Sequence, residues 1–145
     1  MSTNESQSYS TLKANVFIPG DRVDRIENLI GSGMPDFNCC CDGRDAWVEI
    51  KTPVKTPARR STPVMSSAHP LSQDQKNWLM MHAKAGGTGF VYVDAPTRRY
   101  LVRGEDADGL NEMTTEEMML IADWTAQVPT PSARWIEFRE LLRGK

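Results

Sequence analysis

Apolar and polar positions alternate most clearly between Met34 and Lys51, in the run MPDFNCCCDGRDAWVEIK. Period-two alternation marks strands with one buried face, and Asp-Gly between two such runs marks a hairpin. Taking Asp42-Gly43-Arg44-Asp45 as the loop and Cys41 with Ala46 as the closing pair sets Cys39 opposite Val48. Phe37 then faces Ile50, and Asp36 faces Lys51. On this alternation Phe37, Cys39, Cys41, Ala46, Val48 and Ile50 share one apolar face. The other face carries Asp36, Asn38, Cys40, Trp47, Glu49 and Lys51.

Weaker patterns flank this hairpin. Residues 1–12 are polar and predict a disordered tail. Val16-Phe17-Ile18 fits a short strand before Pro19-Gly20. From Asp21 to Ile30, Val23, Ile26 and Ile30 fall at helical spacing, with Glu27 bordering their stripe. As a strand, the same segment would place Val23, Arg25 and Glu27 on one face, and both forms stay open. Ser72 caps a helix from Gln73 to about Ala85 that Gly86-Gly87 ends. Gln75, Trp78, Leu79 and His82 share a face of it, with His82 read as a packing residue. Gly89 to Val93 predicts a buried strand, and Arg99 to Arg103 a partner reached through the turn at 94–98. Thr114-Thr115-Glu116-Glu117 fits a capping box opening a helix through Met118, Met119, Ile121 and Trp124. A last helix over about Ser132–Leu142 completes a region, 112–143, expected to be helical.

Composition narrows the function. At 145 residues, with 39% hydrophobic and 25% charged residues, the chain suits one domain, expected over 13–145. A net charge of −2 argues against a generally basic nucleic-acid coat while allowing local basic surface. No apolar run reaches membrane-spanning length, and the polar start does not read as a signal peptide. Cys39, Cys40 and Cys41 are contiguous, which suits neither a disulfide framework nor a zinc site. A cytoplasmic location is the expectation, host cytoplasm if the gene is a phage's. The segment 52–71 holds four prolines, no acidic residue, and the cations Lys55, Arg59 and Arg60. It predicts a basic arm that contacts phosphates, against the plainer alternative of a solvated loop.

Asp36 and Glu49, projecting from neighbouring strands, are candidate ligands for a hard cation such as Mg²⁺, with the Ile50 carbonyl as a further oxygen. Lys51 beside them can orient a water and offset charge on a phosphate. The plain alternative is a surface hairpin with an exposed ion pair.

Gly33-Met34-Pro35-Asp36 followed by Val48-Glu49-Ile50-Lys51 resembles the PD-(D/E)xK nuclease signature. The stretch Leu71 to Trp78, with its glycine turn and the strand Phe90–Val93, is similar to the VRR-NUC branch of that superfamily. That branch includes small phage nucleases and is related to Holliday-junction resolvases. The resemblance implies an α/β, restriction-endonuclease-like αβββαβ core with a central mixed sheet flanked by helices, to which C-terminal helices are added. It also implies Asp36 and Glu49 as metal ligands, Lys51 as the catalytic lysine, Glu27 as a helix-borne acid and Gln75 as a bordering glutamine. The expected activity is Mg²⁺-dependent cleavage of DNA, with Mn²⁺ substituting, on branched substrates such as Holliday junctions and by a homodimer. Two alternatives stand beside it. One is a nuclease that nicks or trims linear or single-stranded DNA in phage replication, packaging or host-DNA breakdown. The other is a non-catalytic nucleic-acid-binding module of the same fold.

Overall fold

Asp42 and Gly43 alone make the hairpin turn in the computed structural model, which describes residues 3–26 and 33–144. Both have positive φ, 56° and 81°, as the tight primed turns that match strand twist require. Asp42 tolerates that region because its short polar side chain can bond locally, and Gly43 because it lacks a Cβ. The hairpin strands are β2 (Phe37–Cys41) and β3 (Arg44–Lys51), and Arg44 and Asp45 belong to β3, not to a four-residue loop. The register is Cys41 with Arg44, Cys39 with Ala46 and Phe37 with Val48. Every partner is therefore displaced by two positions from the expected one. A shift of two preserves the faces but changes the neighbours, so Asp36 lies across from Glu49 and not from Lys51.

Three further expectations are corrected. The amino-terminal segment is not a disordered tail: α1 spans Thr3–Asn15. Tyr9, Leu12 and Val16 repeat at helical spacing and are buried against the apolar face of the sheet. Val16 ends that helix, its N–H donating to the Leu12 carbonyl, and is not in a strand. The segment after it contains β1 (Arg22–Arg25), so the strand form holds there, with Val23 facing the core. Pairing with β2 overrides the weak helical spacing. Lastly, the helix opened by the Thr114 capping box, α3 (Thr115–Ile121), stops before Trp124. Trp124 instead starts β6 (Trp124–Gln127), where its ring is buried against Trp135 and Phe138.

The remaining elements follow the pattern. They are α2 (Gln73–Lys84), β4 (Gly89–Asp94), β5 (Arg98–Arg103) and α4 (Ser132–Leu142), with 3₁₀ turns at Val64–Ser67 and Gly104–Glu112. The six strands lie in sequence order across one mixed sheet. Only β3 and β4 are parallel, a pairing that needs a long crossover, which α2 supplies. The result is an α/β fold with the expected αβββαβ order, its first helix supplied by residues 3–15.

Helices cover both faces of the sheet. α1 and α4 pack on the side of Phe37, Cys39, Val48 and Ile50. On the other side α2, α3 and the 3₁₀ turns cover Val91, Val93, Tyr100 and Val102. Trp47, Glu49 and Lys51 lie on that second side, at the border of its apolar core. No helix among the described residues is long and apolar enough to cross a membrane. The account of α1 predicts that Leu12→Ala, at a fully buried position, lowers stability by about 2–4 kcal/mol in denaturant unfolding. No measurable change is the result expected of a disordered tail.

Candidate active site

The site forms just before β2 begins, beside the last residues of β3. Extending the register places Pro35 opposite Ile50 and Asp36 opposite Glu49. In a strand, the N–H and C=O of one residue point to the same edge. The Ile50 N–H donates to the Asp36 Oδ2 at 2.6 Å, so the Ile50 carbonyl opens to that edge as well. A continuing ladder would cap that carbonyl with the N–H of its partner, but Pro35 has none. The Pro-Asp step thus frees a carbonyl oxygen and fixes a carboxylate beside it.

Glu49 is 3% exposed. Burial first, and then the charge of Asp36 across the hairpin, push its carboxyl up to about 9 against the pull of Lys51. Asp36 is also raised above the usual carboxylate range, mainly by burial, with the Ile50 N–H acting against it. Lys51, 5% exposed, holds its Nζ 3.6 Å from the Glu49 Oε2 and 3.4 Å from the Pro70 carbonyl. Gln75 reaches the same carboxylate from α2, its Nε2 donating to the Glu49 Oε2 at 3.2 Å. That helix begins with the expected Ser72 cap, and Gln75 accepts the Ser72 N–H as the return half of the box. Gly33, at φ +76°, lets the chain before Asp36 touch this first turn: a Cβ there would lie 2.4 Å from the Asp74 carbonyl oxygen. The structure thus gathers Asp36, Glu49, Ile50, Lys51 and Gln75 in one place.

Glu27, the expected helix-borne acid, lies outside the described residues. The described helix at the site is α1, and its acid is Glu5, whose charge raises both Asp36 and Glu49. A cavity of about 360 Å³ opens beside Lys51, and its lining includes Glu5, Thr52, Ser67 and His69. Sequence reasoning missed Glu5 because it assigned the polar amino terminus to disorder. The signal was present: Glu5 precedes Tyr9, Leu12 and Val16 at helical spacing. His69 also went unassigned, since its neighbours on the cavity come from three separate segments.

The basic segment is tied down at its far end, where Val64, Met65 and Leu71 are buried. Lys55, Arg59 and Arg60 are exposed, and Arg60 pairs with Glu116 of α3. None of these three cations lines the 360 Å³ cavity.

The chemistry of the donor set fits a hard divalent cation. Two carboxylates crowded in a dry site, with a third acid nearby, exceed the single charge of Lys51. Oxygen is their only donor type. Among the described residues no three His, Cys, Asp or Glu side chains gather as a complete metal site. The protein ligands would therefore be Asp36, Glu49 and the Ile50 carbonyl, with water completing the shell.

A carboxyl raised on folding contributes stability that is fully present below its ordinary range and is lost as pH climbs to its folded value. For Glu49 that loss runs from near pH 4 to about 9. Glu49→Gln keeps the Gln75 contact without the charge. In EDTA at pH 8 it should melt about 3 °C or more above wild type, with a flatter pH dependence of melting. A lower melting temperature for the variant at that pH would contradict the assignment.

No protein-family model matches the chain, and no curated protein sequence does. Among solved structures, the chain is similar to Hjc from Archaeoglobus fulgidus, a Holliday junction resolvase from an archaeal hyperthermophile. The TM-score is 0.53 at 14% identity, over 82% of this chain and 93% of the other. The likeness is one of fold: a mixed six-stranded sheet with flanking helices, of the restriction-endonuclease-like type.

Proposed function

We propose that this protein is a Mg²⁺-dependent endonuclease that hydrolyses DNA phosphodiester bonds, with Mn²⁺ able to substitute. Its preferred substrate is branched DNA such as a four-way junction, and its working form is a homodimer. The observation that carries the proposal is the half-buried Asp36 facing the buried Glu49 beside Lys51, in a fold shared with a junction resolvase. A VRR-NUC placement and a phage setting belong to the same proposal, on the strength of the sequence motifs.

Asp36, Glu49 and the Ile50 carbonyl would hold the ion. When bound, it lowers the pKa of a coordinated water and offsets charge on the phosphate. The Ile50 N–H keeps the Asp36 carboxylate from rotating, and Gln75 does the same for Glu49. The Lys51 ammonium holds the attacking water against the scissile phosphorus and balances charge on the non-bridging oxygens. The water oxygen bonds to phosphorus as the opposite P–O ester bond breaks; the proton lost by the water passes to solvent, and the departing oxygen takes up a proton from solvent on the far side. Glu5, at the edge of the cavity, is placed to accept a hydrogen bond from the water. Lys55, Arg59 and Arg60 supply sequence-neutral phosphate contacts. The exposed Arg60–Glu116 pair is weak enough for a phosphate to displace Glu116. One such site cuts one strand, so a symmetric pair suits a symmetric junction.

Plasmid, single-stranded, flapped and four-way-junction DNA, each with Mg²⁺, Mn²⁺ or EDTA, test the proposal. Junction cleavage that EDTA abolishes is expected. DNA binding without cleavage of any substrate would leave only a binding module, and equal cutting of linear duplex and junction would remove the structural preference. Lys51→Ala should slow cleavage by about 100-fold or more while binding Mg²⁺ normally, whereas Asp36→Ala should lose both. Wild-type cleavage by Lys51→Ala would remove Lys51 from the chemistry.

A further inference from the structure

Two groups of aromatic side chains in the protein differ in a telling way. Trp124 and Trp135 stack at 5.4 Å and are 3% and 4% exposed, as core packing requires. Trp47, Trp78 and His82 form the second group. Trp47 and Trp78 are 5.2 Å apart and tilted by 58°, Trp78 and His82 stack at 4.7 Å, and Trp47 meets His82 edge-on at 6.4 Å. All three are only half-buried, although they flank the fully packed Leu79. Their faces are therefore not consumed by the core.

Trp47 and His82 of this group line a cleft. It measures about 720 Å³, and its lining includes Asn38, Arg44, Asp45, Trp47 and His82, within the range of small-ligand sites. Gly87 packs directly against the His82 ring at the cleft, where a Cβ would lie 2.2 Å from the His82 Nε2. The β1–β2 side of this sheet face carries Arg22, Asp24, Asn38 and Cys40, none of them buried, with Arg22 bound to Asp24. Aromatic walls thus stand over a floor of hydrogen-bonding groups, with Arg44 bound to the Thr88 hydroxyl at the rim. An apolar protein segment would leave those polar groups unpaired. A nucleobase matches both features, since it has a π face and a hydrogen-bonding edge.

Position ties the cleft to the nuclease site. Trp47 and Glu49 are alternate residues of β3 on one sheet face, roughly 7 Å apart along the strand. Trp78 and Gln75 are three apart on α2 and share its inward face. A DNA strand rises about 3.4 Å per nucleotide. A strand crossing the carboxylates therefore reaches Trp47 about two nucleotides from the phosphate being cut. We propose that the Trp47–Trp78–His82 cluster is a stacking platform for an unpaired nucleobase next to the scissile phosphate. It deepens the proposed nuclease function and rests on that reading for its DNA substrate. The platform gives the site a preference for strands whose bases are exposed, as at the branch of a junction, a flap or a gap.

The test is binding in EDTA, where no cleavage intervenes. Its probes are a single strand of about twelve thymidines and an abasic strand of equal length and charge. The wild-type protein should bind the base-bearing strand about 10-fold more tightly, with quenching of tryptophan fluorescence. Trp47→Ala should abolish most of that advantage without changing affinity for the abasic strand, and Trp47→Phe should keep most of it. His82→Ala, at a half-buried position, repeats the comparison should Trp47→Ala fail to fold. Equal affinity of the wild-type protein for the two strands would overturn the platform and leave the nuclease proposal to its own cleavage assay. Equal loss for both strands in Trp47→Ala would do the same. Failure to bind either strand would overturn the platform and the DNA-binding reading together. Binding with base preference but no cleavage of any substrate would overturn the nuclease reading alone.

Discussion

Asp36 and Glu49 face one another across the end of a single hairpin, and Glu49 is all but sealed from water. Two ionised carboxylates in such a place repel, and each loses hydration that the protein only partly replaces. Lys51 supplies one positive charge within 3.6 Å, which does not balance both acids and Glu5 as well. Without a cation the pair is relieved by holding a proton, since burial and then the Asp36 charge push the Glu49 carboxyl up to about 9. With a divalent cation the same crowding becomes affinity.

Much of the surrounding structure serves to keep that arrangement in place. Pro35 stops the β2 ladder where the Ile50 carbonyl must be free, and the Ile50 N–H holds Asp36. Gly33 brings the start of α2 against the chain leading into Asp36, which sets Gln75 on Glu49. On α1 the Ser8 hydroxyl donates to the Asp94 Oδ2 at 2.6 Å, and Arg99 holds the other Asp94 oxygen. Glu5 is three residues before Ser8 on the same side of that helix, so the Ser8–Asp94 bond fixes where the third acid stands. The cavity at Glu5 and Lys51 and the cleft at Trp47 then lie along one strand, β3.

The hairpin faces and the shared face of Asp36, Glu49 and Lys51 were legible in the sequence because alternation is a local rule, whereas Gln75 was expected beside them only from the motif resemblance. The register was less so: a four-residue loop and a two-residue turn both keep the faces, and only the left-handed conformation of Asp42 and Gly43 separates them. α1 was missed because its stripe holds only Tyr9, Leu12 and Val16 among polar residues, and its stability comes from the sheet beneath it. β1 and β6 were obscured because each is four residues long and is fixed by its neighbour in the sheet. The place of His69 on the cavity and the cleft at Trp47 depend on segments far apart in the chain, which no local pattern reports.

The central claim is that the crowded carboxylates are a cation site, and its most direct test is the proton that a cation must expel. Mg²⁺ titrated into the protein at pH 7, followed calorimetrically in buffers of different ionisation enthalpy, measures that proton. Release of about one proton per ion in the wild-type protein, and none in Glu49→Gln, is the predicted result. Mg²⁺ binding to the wild-type protein without proton release would contradict it.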